Sequence, residues 1–323
     1  MERRGIAVAG SILVDKLYEI SAYPASGELT KIRNINYAVG GCVPNVAIDI
    51  KKMMPDLPVE AIGKVGHDEE GDFIFKALSS AGVSTDGIVY ADTKTSFTDV
   101  MSVKGGQRTF FTYPGASADF GLSDVDFSKL GVKMLHLGYF LLLDKIDAGD
   151  GLKMLMAAKD AGIKTSIDLV SENSDRYSLV RPALEYTDNL IINEVEAGML
   201  TGIEPKNENL EKIAKALMEL GVKERVIIHK PDISVCYSKD GFSYLPSYDL
   251  PDGFIKGTTG AGDAFCAGAL IGIYDNLSDM EIMEFASCAA VMALRETDAT
   301  GGMDTAENTK EFCKGFNRRK ICL

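Results

Sequence analysis

Between residues 134 and 229 four short apolar runs, 134–138, 164–168, 189–193 and 225–229, are separated by three stretches with helical spacing, 149–161, 179–186 and 207–220. Strands that are apolar throughout, rather than at alternate positions, need cover on both faces. Parallel strands joined by crossover helices supply that cover. The pattern predicts an α/β fold: a mainly parallel central sheet with helices on both faces. Residues 5–11 (GIAVAGS) and 59–63 read as further central strands, each leading to a helix, over 43–54 and from the loop 64–70 through Ala81. After His229 two close turns carry the chain through 234–237 and 241–245. Two Ala-rich helical stretches, 264–274 and 280–295, follow, and then a polar tail.

Two segments interrupt this rhythm. Residues 28–39 alternate polar and apolar positions with β-branched content, the mark of a half-exposed strand pair. Residues 95–103 and 108–113 read as a hairpin around Gly105-Gly106. Together they predict a small sheet standing apart from the main body, a lid formed by inserted segments near 12–39 and 95–115. With no internal repeat, low-complexity segment or Pro-rich linker, residues 1–323 read as one domain with that lid.

Charge narrows the class of partner. Lys plus Arg number 34 and Asp plus Glu 47, so the net charge is −13. Nucleic acid and anionic membranes both require a basic face, and neither is expected as a partner. A small phosphate ligand is still open, because a local nest of backbone N–H groups suffices to bind it. The six cysteines (42, 236, 266, 288, 313 and 322) form no CxxC pair, which predicts reduced thiols. His67, His136 and His229 follow neither HExxH nor HxH spacing, so no metal is expected on them. The N-terminal apolar run stops at Asp15 with no small-residue cleavage site, and reads as a strand rather than a signal peptide. No apolar run reaches the length of about 18 residues that a membrane helix needs, and a cytoplasmic protein is expected.

The segment 257–268, GTTGAGDAFCAG, carries the chemistry. Small residues let N–H groups approach an anion, and a helix beginning there adds unpaired donors and a favourable dipole. It lacks the lysine of a Walker loop and lies too late in the chain for a dinucleotide fingerprint. It offers an anion cradle from Gly260, Ala261 and Gly262 with the carboxylate of Asp263 beside it. Like charges repel, so a carboxylate there makes poor sense for simple phosphate binding. It makes sense if Asp263 takes a proton from a hydroxyl attacking a phosphoryl group held in the cradle. A plain helix N-cap is the competing reading of an isolated GxGD.

The same segment resembles the C-terminal signature of the ribokinase-like carbohydrate kinases, the group that includes the second type of bacterial phosphofructokinase. Gly40-Gly41 with Asn45 in GGCVPN, HLGYF at 136–140, RTFFTYPGA at 108–116, and Asn193 with Glu196 in IINEVEAGMLTG fit the same family in order. The resemblance implies an ATP-dependent phosphotransferase moving the γ-phosphoryl group to a hydroxyl of a monosaccharide or sugar acid. On it, Asp263 is the base and Gly260, Ala261 and Gly262 the anion hole. Asn193, Lys230, Thr258, Gly260 and Gly262 face ATP, Asn193 and Glu196 organise Mg²⁺ through water, and Asp15, Gly41 and Asn45 bind the sugar.

Departures from the family pattern carry information too. Gly257 stands where the signature has an aspartate that helps bind potassium in many members, so activation by a monovalent cation is not expected. Lys230 replaces a glycine near the nucleotide phosphates, where it supplies charge or simply points to solvent. Leu13 and Gly138 replace two ribose-binding residues, which argues against ribose. Arg108, Phe110 and Tyr113 lie on a lid strand, and Arg108 and Tyr113 are assigned to the acceptor, with structural packing as the competing role. A nucleoside kinase and a catalytically silent sugar or nucleotide sensor are the rival functions. The lid sheet predicts a homodimer formed through it.

Overall fold

The computed structural model describes residues 3–103, 108–172 and 174–321. Its strands are β1 (Ile6–Gly10), β2 (Leu13–Ile20), β3 (Ile32–Gly40), β4 (Val59–Gly66), β5 (Ser84–Ala91), β6 (Ser96–Val103), β7 (Arg108–Tyr113), β8 (Met134–Phe140), β9 (Lys164–Leu169), β10 (Asn189–Asn193), β11 (Arg225–His229), β12 (Ile233–Ser238) and β13 (Gly241–Pro246). Its α-helices are α1 (Cys42–Met53), α2 (Glu69–Ser80), α3 (Gly115–Ala118), α4 (Gly151–Asp160), α5 (Arg181–Leu184), α6 (Glu194–Thr201), α7 (Leu210–Glu219), α8 (Ala261–Tyr274), α9 (Asp279–Ala293) and α10 (Ala306–Cys313).

Nine strands form the main sheet in the order β13-β12-β11-β10-β9-β8-β1-β4-β5. Pairing is parallel from β11 to β5, and β12 and β13 close one edge as antiparallel strands. β1 is buried at all five positions and β10 at its first four, as expected of strands covered on both sides. One apolar core lies under α1, α2, α8 and α9, and a second lies across the sheet under α4 to α7. The chain runs from β1 out to β5 and then returns to lay β8 on the other side of β1, making a topological switch point between β1 and β8. Open α/β sheets bind ligands at the carboxyl ends of strands beside such a point. There Gly10 pairs with Gly138, and α1 approaches closely enough that a Cβ on either would strike neighbouring atoms.

A second sheet, β3-β2-β6-β7, stands beside the carboxyl edge of the first. The predicted fold class, a covered parallel sheet with a small β-sheet beside it, is what forms. Several expected boundaries do not hold. β2 and β5 are strands that the sequence reading passed over, and residues 28–31 are not part of β3. The polar tail contains α10, with Thr305 Oγ1 accepting from the N–H of Asn308 at 3.3 Å and only Thr309 and Cys313 fully buried. So thin a buried face leaves almost no helical period to read. The Gly105-Gly106 turn and Cys322 lie outside the described residues. Cys42, Cys236, Cys266, Cys288 and Cys313 are buried free thiols. Among the described residues no helix is long and apolar enough to cross a membrane.

Candidate active site

α8 begins earlier than its sequence suggested. Gly260 is its N-cap with φ 77°, a left-handed conformation, and a Cβ there would sit 2.5 Å from Ala299, so glycine is required twice over. Asp263 is therefore the third residue of the helix. Of the three expected anion-hole residues, Ala261 turns its N–H to Thr258 O at 3.3 Å, whereas the N–H groups of Gly262 and Asp263 in the first turn have no helical acceptor. The Asp263 carboxylate is not spent as a cap. Its Oδ2 accepts from Asn45 Nδ2 at 2.8 Å, and the Tyr139 hydroxyl donates at 3.0 and 3.1 Å to its two oxygens. Burial pushes its pKa up to about 7. The charges of Asp168 and Asp15 push the same way, and the bonds from Asn45 and Tyr139 oppose them. At neutral pH this is a poised acceptor of protons, not a permanently charged surface acid.

Tyr139 is the residue that sequence reasoning missed. The register between β8 and β9 shifts after Leu137, and Tyr139 takes φ 61°, which is rare for a side chain of its size. Its N–H is held by Asp168 Oδ1 at 2.5 Å, and the resulting turn aims the phenol at Asp263. The signal available in sequence was an aromatic residue directly after a glycine at a strand end. Gly138 itself cannot carry a side chain, since a Cβ would lie 2.5 Å from Cys42 Sγ and 3.0 Å from Asp168 Oδ1.

Two cavities share walls at this point, and a third opens beside the loop that leads into α8. One of about 190 Å³ is walled by Asp263, Gly260, Gly262, Tyr139, Asp168 and Glu196. A second, about 420 Å³, lies between Asn193, Lys230, Thr258, Ala261 and apolar residues including Leu250, Ile255 and Val291. The third, about 540 Å³, lies between the second sheet and the loop before α8. Asp15, Asn36, Arg108 and Phe110 line it on one side and Lys256, Thr259 and Asp298 on the other. Arg108 Nη1 donates to Thr259 Oγ1 at 2.8 Å and so bridges the two sides. Burial pushes Asp15 up to about 6.

Asn193 and Glu196 form a reciprocal cap on α6. Asn193 Oδ1 accepts from the Glu196 N–H, and Glu196 Oε2 from the Asn193 N–H, both at 3.0 Å. Glu196 Oε1 also accepts from Ser171 Oγ at 2.9 Å. Burial raises Glu196 to about 7. Both residues wall the small cavity while their oxygens already accept hydrogen bonds, so they fit a hydrated magnesium ion better than one they would ligate directly.

Four expectations fare worse. Tyr113 is not in the 540 Å³ cavity: side chains alternate along β7, so Arg108 and Phe110 face it while Tyr113 turns to the other side and packs on Phe97, ring centroids 5.3 Å apart. Gly41 lines none of the three cavities; its φ of 87° and its approach to Ser11 make it the turn into α1. Lys230 does line the 420 Å³ cavity, but its ammonium is held by Asn207 Oδ1 at 2.6 Å and lies 3.7 Å from Asp232. Asn45 lines none of the three either and acts on the site through Asp263.

Comparison with known proteins gives the family of the chain. The model of the pfkB family of carbohydrate kinases matches residues 4–306. A 5-dehydro-2-deoxygluconokinase of Clostridium perfringens is 27% identical over 300 residues, covering 88% of this chain and 87% of its own. A probable chloroplastic fructokinase of Arabidopsis thaliana is 28% identical over 294 residues, 85% of this chain and 74% of the relative. The ribokinase of Arabidopsis thaliana, solved in complex with ribose and ATP, superposes with a TM-score of 0.84 at 24% identity. That match covers 97% of this chain and 99% of the other, and shows a shared fold.

Proposed function

The chain belongs to the pfkB family of carbohydrate kinases, and from that premise we propose that Asp263 is the base which activates a hydroxyl of a monosaccharide or sugar acid for attack on the γ-phosphoryl group of ATP. The observation that carries this reading is one wall. Asp263, held by Asn45 and Tyr139, faces the same 190 Å³ cavity as Gly260 and Gly262 at the start of α8. A nucleophile's proton acceptor and the donors for the transferred group thereby face one reacting centre side by side.

ATP fits the 420 Å³ cavity, whose apolar wall suits a base and whose other end opens beside Thr258, Ala261 and Gly262. The acceptor fits the 540 Å³ cavity, with Asp15 to accept from sugar hydroxyls and Arg108 to meet a carboxylate. Both sugar-acid and neutral-sugar kinases stand among the relatives. Asn193 and Glu196 would hold magnesium through water, and that ion supplies charge neutralisation on the nucleotide phosphates. Asp263 takes the hydroxyl proton as the new O–P bond forms and the bond from the γ-phosphorus to the β–γ bridging oxygen breaks to release ADP, while the Gly262 and Asp263 N–H groups at the start of α8 bind the equatorial oxygens of the moving group. Closure of the second sheet excludes water, the competing acceptor. Where the family's potassium-binding aspartate stands, this chain has Gly257, and a Cβ there would meet Glu296 O at 2.8 Å, so we expect no potassium activation.

We also assign the enzyme to the cytoplasm, where free thiols stay reduced. A homodimer through the second sheet is supported by Ile35, Tyr37 and Phe111, each about half exposed on the face turned away from the acceptor cavity. Light scattering on the purified protein decides that point: a monomeric mass overturns it. The test of function is ADP formation by purified protein with Mg²⁺–ATP and a panel of hexoses, pentoses, keto-sugar acids and nucleosides. Turnover dependent on one sugar or sugar acid is expected. Turnover with nucleosides alone, or with none, overturns the assignment.

A further inference from the structure

Directly beneath the reacting centre, three side chains converge that the transfer reaction does not use together. His136 on β8 and Asp168 on β9 share the sheet face covered by α8, and Cys266 descends from α8 one turn after Asp263. His136 Nε2 lies 3.4 Å from Asp168 Oδ2 and 3.5 Å from Cys266 Sγ. Ligand atoms of the three all fall within 4.8 Å of one another. All three residues are buried. A tetrahedral zinc ion bound at its usual bond lengths spaces a nitrogen and an oxygen ligand about 3.4 Å apart, and a sulfur and a nitrogen ligand about 3.6 Å apart. The two measured edges match that figure.

Two further features suit a metal ion. Ser166 Oγ stands 2.9 Å from His136 Nδ1 and can accept its proton, which leaves the Nε2 lone pair directed at the other two groups. Asp168 and Cys266 both wall the 190 Å³ cavity, which gives an entry path and room for a fourth ligand beside Asp263. We propose that His136, Asp168 and Cys266 form a binding site for a zinc-class divalent cation, and that its occupation inhibits the kinase. Thiolate and imidazole donors select against magnesium, which demands oxygen ligands in an octahedron, so this site is separate from the nucleotide's ion. Burial keeps the Cys266 thiol protonated in the metal-free protein, and coordination releases that proton to solvent as the sulfur–metal bond forms. The bound cation engages Asp168, whose other oxygen positions Tyr139, and fills space needed next to the base.

Cobalt(II) titration of the full-length protein tests the site independently of any turnover. We expect one equivalent to bind with a thiolate-to-cobalt charge-transfer band, displaced by zinc. The near-isosteric Cys266→Ser should abolish the band. Ser166→Ala keeps all three ligands and should weaken binding about tenfold, the usual cost of losing such support. Zinc added at saturating Mg²⁺–ATP should inhibit the wild type, and Cys266→Ser should resist it at least tenfold better. Absence of the band in the wild type, or the same cobalt spectrum in wild type and Cys266→Ser, overturns the proposal. If Cys266→Ser does not fold, His136→Asn takes its place, and an unchanged band in that variant is equally fatal.

Discussion

Asp263 sits in a helix that is buried without a break from Asp263 to Ile273, and two neutral side chains hold its carboxylate. Arg108 sits on a strand exposed at all six positions, and its guanidinium reaches the body of the protein at Thr259. The same ligand would touch both regions, yet they are held by opposite means. Proton transfer tolerates errors of only a few tenths of an ångström, so its groups are set in the close-packed core. Acceptor choice needs a cover that can open and close, and a thinly packed sheet provides it. Substitutions in the first region should therefore act on kcat, and those in the second on the acceptor KM.

The largest effect should come from the buried side. Asp263→Asn keeps the shape of the side chain and removes the base, and kcat should fall on the order of 10³-fold while ATP binding, measured by calorimetry, stays unchanged. Retention of full turnover breaks the assignment of the base. On the exposed side, Arg108→Ala should raise the acceptor KM about 10- to 100-fold and leave kcat and the ATP KM nearly unchanged. A fall in kcat equal to that in kcat/KM would show that Arg108 acts in the transition state, and the contrast between the two regions would fail.

What the sequence made legible follows the same division. Asp263 and its glycines were readable because four adjacent residues contain the whole device, a left-handed glycine, a helix start and an acid. β10 and β11 were readable to the residue because burial on both faces leaves an uninterrupted apolar run. On the second sheet the reading failed by one step of alternation. Arg108 lines the cavity between the second sheet and the loop before α8, but Tyr113, five residues on, has the opposite parity and faces away. Tyr139 was missed for another reason: beyond an aromatic after a glycine, its aim depends on a register shift and a positive φ, and neither is marked by residue type. His136, Asp168 and Cys266 are brought together only by the pairing of β8 with β9 and the packing of α8 on both. Their spacing of 130 residues from first to last carries no local signal.

Tyr139 sharpens the comparison because it belongs to the core yet borders the acceptor. Its hydroxyl donates to both oxygens of Asp263 and favours the ionised form, against the burial that has raised the pKa to about 7. Tyr139→Phe keeps the ring and loses the donor, so the pKa should rise further, by about one unit. The base works only when deprotonated, so wild-type kcat/KM should fall as the pH drops through about 7. In Tyr139→Phe that acid limb should move to higher pH. Activity should be about fivefold lower at pH 7 and near wild type above pH 9. A pH-independent loss would mean that Tyr139 contacts the acceptor instead of tuning the base.

The smallest effect is expected at Lys230, in the wall of the 420 Å³ cavity proposed for ATP, where charge alone would suggest a phosphate contact. Its side chain is 15% exposed, and its ammonium already bonds Asn207 Oδ1 at 2.6 Å with Asp232 3.7 Å away. Turning towards a nucleotide would break that bond and leave Asn207 Oδ1 and Asp232 without their cation. The phosphate contact would return little beyond the pair it replaced. Lys230→Ala should therefore change the ATP KM less than about threefold, and lower Tm by a few degrees as it frees the turn between β11 and β12. A tenfold rise in the ATP KM at unchanged Tm would show instead that the lysine swings into the cavity when ATP binds. The mobile part of the site would then extend beyond the second sheet, onto an edge of the main one.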